Sequence, residues 1–110
     1  MRHSSKKLCE DVLRAIDETG AFCHLKTITD FRADRTLQLV VERELEIMGE
    51  AMARLQREHP DLAAQITDAH KIVGLRNVLA HGYDILEHEI LWDIVENKLS
   101  SLRHEIGRLS

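Results

Sequence analysis

The sequence is short of the residues that build sheets, turns and staples. Aromatic residues make up only 4% of the chain, and there is one proline and five glycines. A β-sandwich or barrel needs many turns and strands rich in aromatic or β-branched residues, so that class is excluded. There are two cysteines, Cys9 and Cys23, fourteen positions apart. On one continuous helix they stand about 21 Å from each other, beyond disulfide reach. Two such thiols also make a poor zinc site. They read as small, semi-buried hydrophobes in a reducing compartment. No run approaches the roughly 18 uncharged apolar residues of a membrane span. The basic start, Met1 to Lys7, is followed by Glu10, Asp11 and Arg14 rather than by an apolar signal core, so the expected compartment is cytoplasmic with no membrane partner. Nor is there an excess of positive charge. The net charge is −4, which argues against nonspecific coating of nucleic acid while leaving room for a small basic RNA site.

What is present favours helices. The chain has 110 residues, 44% hydrophobic and 31% charged, dominated by Leu, Glu, Ala, Arg and Ile. One domain of that size, spanning 1–110, can hold a core without metals or disulfides.

Apolar residues recur every three or four positions in several segments. Leu8, Val12 and Ile16 mark a first helix over about 5–25, which Gly20 weakens or kinks. A connector follows over 26–31, with Thr27, Thr29 and Asp30 as possible caps. Leu37, Val41, Leu45, Met48, Met52 and Leu55 define a long helix over 34–58. A second row, Val40, Ile47 and Ala51, implies burial on two sides, either as a central core helix or against a partner. Pro60 suits the first position of a short helix. Ala69, Ile72, Val73, Leu79 and Ala80 mark a helix over about 68–80, capped by Thr67 and ended at Gly82. Asp84 and Glu87 resemble a capping box for one last helix carrying Ile90, Leu91, Ile94, Val95, Leu99, Leu102 and Ile106. The expected fold is all-α, an antiparallel up-and-down bundle of about four long helices plus a short one.

Arg76 breaks the pattern. Its spacing from Ile72, Val73, Leu79 and Ala80 puts a guanidinium inside the apolar stripe. It must be paired, must snorkel, or must face a functional cleft. Asn77 follows directly. His81, five positions on, lies some 140° around a regular helix, so the two share no narrow face. Tyr83, the single tyrosine, comes just beyond. Spacing alone favours a plain reading, in which Arg76 pairs with Glu46 or Glu50 and His81 caps a helix end. The other histidines, His3, His24, His59, His70, His88 and His104, are scattered without ligand spacing, and Glu46 reads equally as a partner of Arg43. Trp92 reads as a core or interface anchor. No phosphate loop or dinucleotide fingerprint is present.

The run Arg76-Asn77-Val78-Leu79-Ala80-His81-Gly82-Tyr83 resembles the Arg-x-x-x-x-His-x-Tyr signature of HepT-like toxins of the HEPN superfamily. The flanks Ile72 to Leu75 and Ile90 to Val95 are similar too, as is the long helix from Thr36 to Glu50. This resemblance implies a helical bundle that dimerises with the motif at the interface. It implies the toxin of a toxin–antitoxin pair, an endoribonuclease that cleaves RNA without metal or other cofactor. It further implies a nucleotidyltransferase antitoxin that attaches AMP to the motif tyrosine, here Tyr83. Arg76 and His81 would be catalytic, with Asn77 in support. The chemistry suits the residue types. RNA carries its own nucleophile, the 2′-hydroxyl. A histidine moves protons near neutral pH, and a guanidinium holds phosphate and the charge that develops on it. One chain supplies one such histidine, and a two-fold dimer supplies both an acid and a base. Two other readings stay open, a catalytically silent HEPN-like subunit of a nucleotidyltransferase complex and a purely structural helical dimer.

Overall fold

A computed structural model describes residues 3–81 and 88–109, together with all their side chains except those of residues 80 and 81. Among the described residues there are seven helices and no strand. They are α1 (Ser5–Cys23), α2 (Ile28–Ala33), α3 (Arg35–Glu58), α4 (Pro60–Ala63), α5 (Ala69–His81), α6 (His88–Asn97) and α7 (Leu99–Leu109).

The helix starts follow from the sequence. The Ser4 hydroxyl accepts the Lys7 N–H at the head of α1. Thr27 and Asp30 form a reciprocal capping box, which turns part of the expected connector into the short helix α2. Asp34 closes α2 and opens α3, its carboxylate accepting the Leu37 N–H at 3.1 Å. Pro60 stands at the first turn of α4, where its missing N–H has no bond to lose.

α3 is the central element. Toward α1 it buries Leu37, Val41, Leu45, Met48, Met52 and Leu55, which join Leu8, Val12 and Ile16 in one core. The pair is antiparallel, for the residues before α1 meet the end of α3. His3 donates its N–H to the Glu58 carboxylate, and His59 Nε2 donates to the His3 carbonyl at 2.7 Å. On the other side α3 packs against α5. α7 lies along α1, where Arg103 and Asp17 form a two-pronged ion pair at 2.7 and 3.1 Å. Phe31, wholly buried, joins α2 to α6 by packing on Trp92 with ring centroids 5.1 Å apart, so Trp92 is a core residue. The buried Gln38 amide donates to the Phe31 and Arg32 carbonyls, which satisfies the end of α2.

Four local readings change. α1 runs through Gly20 without a break, since this residue faces open space and strains nothing. Cys9 is fully buried and Cys23 nearly so, both as free thiols, and burial raises both pKa values, that of Cys23 to about 11. Thr67 does not act as the expected cap but gives its N–H and hydroxyl to Glu105 of α7, the latter at 2.7 Å. The expected single last helix is divided at Lys98, although the bonds Lys98 N–H to Ile94 and Leu102 N–H to Lys98 continue the helical pattern across the division. The proposed Gly82 terminus and the Asp84–Glu87 capping box lie outside the described residues.

Candidate active site

The site is built where α5 crosses α3. Gly49, near the middle of α3, makes this approach possible. A Cβ added there would stand 2.3 Å from the Arg76 Cβ and 3.0 Å from the Ile72 carbonyl oxygen. Any other residue would push the helices apart. A glycine inside a helix costs roughly 1 kcal/mol relative to alanine, so its place in a 24-residue helix calls for such a reason.

Arg76 lies over that glycine, and its side chain is 31% exposed. Its NH1 donates to Glu50 Oε2 at 2.7 Å. Glu50 Oε1 in turn lies 3.3 Å from Arg54 Nε, one turn further along α3. One carboxylate thus sits between two guanidiniums. Arg76 Nε is buried and has no hydrogen-bond partner among the described residues. An orphaned donor of this kind costs on the order of 1–3 kcal/mol, a penalty that a ligand acceptor or a small shift of the arginine relieves. The expected pairings therefore form, Arg76 with Glu50 and Arg43 with Glu46 at 3.4 Å.

Asn77 is exposed. The backbone stays helical through His81. Positions four apart stack on one helix face, so Asn77 and His81 occupy the same side of α5, while Arg76 occupies another. The His81 side chain and all of Tyr83 lie outside the described residues.

Ile72 and Leu79 are buried, Val73 and Leu75 are partly buried against the core, and Val78 is 36% exposed. A groove of about 320 Å³ beside α5 is lined by Ile72, Leu75 and Ile94 and by the charged residues Asp68, Lys71 and Lys98.

The sequence reading missed two members of this arrangement. Gly49 was legible as a glycine in a helix interior. Arg54 was legible as the residue four positions after Glu50, the spacing of a helical ion pair. The histidines are also less scattered than their numbering suggests, since His3 and His59 meet beside Glu58. Among the described residues no group of three or more His, Cys, Asp and Glu is arranged to hold a metal ion, and no helix is long and apolar enough to cross a membrane.

Comparison with known proteins bears on this geometry. The chain is 29% identical to the protein named "Probable ribonuclease HepT" of Thermococcus cleftensis, over 99% of this chain and 98% of that one. Two proteins of Methanocaldococcus jannaschii whose names begin "Putative RNase" are 32% and 26% identical, covering 90% and 92% of this chain and 81% and 92% of their own lengths. No solved structure matches the chain. The family model described as "Ribonuclease HepT-like" matches residues 12–109, a span that includes α3, α5 and the motif, and the chain belongs to that family.

Proposed function

We propose that this protein is the toxin of a toxin–antitoxin pair, an endoribonuclease that acts without a metal ion by directing the RNA 2′-hydroxyl onto the adjacent phosphate. Arg76 holds that phosphate and the charge that builds on it. His81 takes the 2′-hydroxyl proton or protonates the departing 5′-oxygen, and Asn77 orients the histidine. The bond formed is 2′-O to phosphorus and the bond broken is phosphorus to 5′-O, so the products are a 2′,3′-cyclic phosphate and a free 5′-hydroxyl. No water or metal enters that first step. The observation that carries this reading is the Arg76 guanidinium, held in a part-open position by Glu50 on a helix that reaches His81, in a chain of a ribonuclease family.

The protein works as a two-fold dimer with the two motifs in one cleft. Helix geometry supports this, since it sets positions 76 and 81 on different sides of α5 in one chain. The cognate antitoxin is a cytoplasmic nucleotidyltransferase that adds AMP to Tyr83. The added phosphodiester competes with RNA for Arg76, and its bulk closes the cleft.

The test is cleavage of a defined RNA by purified protein in excess chelator, with the product ends identified by mass. Cyclic phosphate ends from the wild-type chain, and none from His81→Ala at unchanged helical circular dichroism, are expected. Undiminished cleavage by His81→Ala, or activity that one metal alone restores, contradicts the mechanism. In co-expression with the nucleotidyltransferase, a mass gain in whole AMP units that vanishes in Tyr83→Phe is expected, and neutralisation without that gain contradicts the modification.

A further inference from the structure

Glu50 presents a puzzle for a phosphate site, because it sets a carboxylate beside the guanidinium that should receive an anion. Its second neighbour resolves this. Arg54 Nε is 3.3 Å from Glu50 Oε1 while Arg76 NH1 is 2.7 Å from Glu50 Oε2. The three side chains together carry one net positive charge. Each guanidinium has five N–H donors, so contact with Glu50 leaves most of them free. Both arginines remain partly open to solvent, 39% for Arg54 and 31% for Arg76. Arg54 NH1 also lies 3.4 Å from His3 Nε2, which holds the far side of the group toward the start of α1.

We infer that Arg54 is a second phosphate-binding residue, and that Glu50 is a positioning residue that holds Arg54 and Arg76 side by side to grip successive phosphates of one RNA strand. The inference rests on the ribonuclease reading for the identity of the ligand, a single-stranded RNA backbone. Glu50 fixes two long side chains in advance, so less rotamer entropy is lost when RNA arrives. Arg76 meets the phosphate that reacts. Arg54, one turn along α3, meets its neighbour and sets the direction in which the strand crosses the site. A planar fork at both positions suits phosphate oxygens better than a lysine.

The experiment measures binding of an oligoribonucleotide made uncleavable by 2′-deoxy substitution, over a range of salt concentrations. Each phosphate contact to a single strand contributes about 0.7 to the slope of log affinity against log salt. Arg54→Gln is expected to weaken binding about tenfold and to lower that slope by about 0.7. Arg14→Gln on α1 removes the same charge elsewhere and is expected to change neither. In cleavage, Arg54→Gln is expected to lower kcat/KM about tenfold, with most of the loss in KM. Arginine side-chain NMR of the free protein reads the clamp. The Arg76 Nη–H and Arg54 Nε–H signals, from the groups that face Glu50, should be protected from exchange in the wild-type chain and lose protection in Glu50→Gln. Wild-type affinity and slope in Arg54→Gln overturn the second contact, and unchanged protection in Glu50→Gln overturns the clamp. A wild-type chain that binds RNA without cutting it contradicts the ribonuclease reading alone, and the binding data still decide this one. A wild-type chain that does not bind RNA overturns both.

Discussion

The two sides of α3 solve different problems. Toward α1 the contact is a wide interlocking of fully buried side chains, with Val41, Leu45, Met48 and Met52 from α3 meeting Leu8, Val12 and Ile16. Toward α5 the helices come together over a glycine, and the prominent side chain at the crossing is a charged one, Arg76. The first side supplies burial at roughly 25 cal/mol per Å² of apolar surface, and so supplies stability. The second holds a guanidinium partly out of water, with one donor unpartnered among the described residues, and so adds less stability than the first. A helix that serves both needs has its tolerance to substitution divided the same way.

Carboxylates show the same division. Glu50, on the α5 side, stands between two guanidiniums. Glu44, on the α1 side, is buried and faces Glu18, with Arg43 only partly compensating. Burial first, and the like charge of Glu18 second, raise its pKa to about 7.

The contrast can be broken at Gly49. Replacing it with alanine puts a Cβ 2.3 Å from the Arg76 Cβ. Overpacking of this kind costs about 1–3 kcal/mol, against roughly 1 kcal/mol gained in helix propensity. Because Arg76 itself is displaced, RNA cleavage should fall at least tenfold even in the folded fraction, as a rate assay normalised by circular dichroism will read. Full activity in Gly49→Ala would mean that the close approach does not position the site.

Glu44→Gln sharpens the other side. An ordinary glutamate titrates near 4.5, whereas folded Glu44 holds its proton to about pH 7. Between those values the unfolded chain binds fewer protons than the folded one, so this residue's contribution falls as pH rises and is fully unfavourable above about 7. The Gln variant should therefore be more stable than wild type at pH 8, by on the order of 1–3 kcal/mol, with little difference at pH 4. Denaturant unfolding at the two pH values measures it, and a gain equal at both would refute the titration.

The smallest expected effect is at Gly20, where an added Cβ meets nothing within 4 Å. Gly20→Ala should raise stability by about 0.5–1 kcal/mol and leave cleavage unchanged, the reverse of Gly49→Ala. Thermal melts of the two alanine variants side by side give the comparison.

How far these features could be read from the sequence follows from the range of the interactions. The three-four spacing of Leu37 to Leu55 gives α3 and its buried face directly, because helix amphipathicity is local. Arg76 stood out for the same reason, as a charge within an apolar stripe, and Glu50 was a natural partner on the long helix. Gly20 and Gly49 look alike in the sequence, yet one faces open space and the other a neighbouring helix, a difference that only the packing of α5 creates. The meeting of His3, Glu58 and His59 spans more than fifty positions and has no local signature. The Thr27–Asp30 pair reads locally as capping material, but the helix it starts is held by burial of Phe31 against α6, a tertiary contact.

The most direct test of the account is the rate at which Arg76→Ala cleaves RNA, set beside wild type at equal folded fraction. If α3 and α5 come together to present this guanidinium to a phosphate, its removal lowers cleavage at least about a hundredfold with the helical circular dichroism retained. An Arg76→Ala protein that cleaves at the wild-type rate, free of contaminating nuclease, would contradict it.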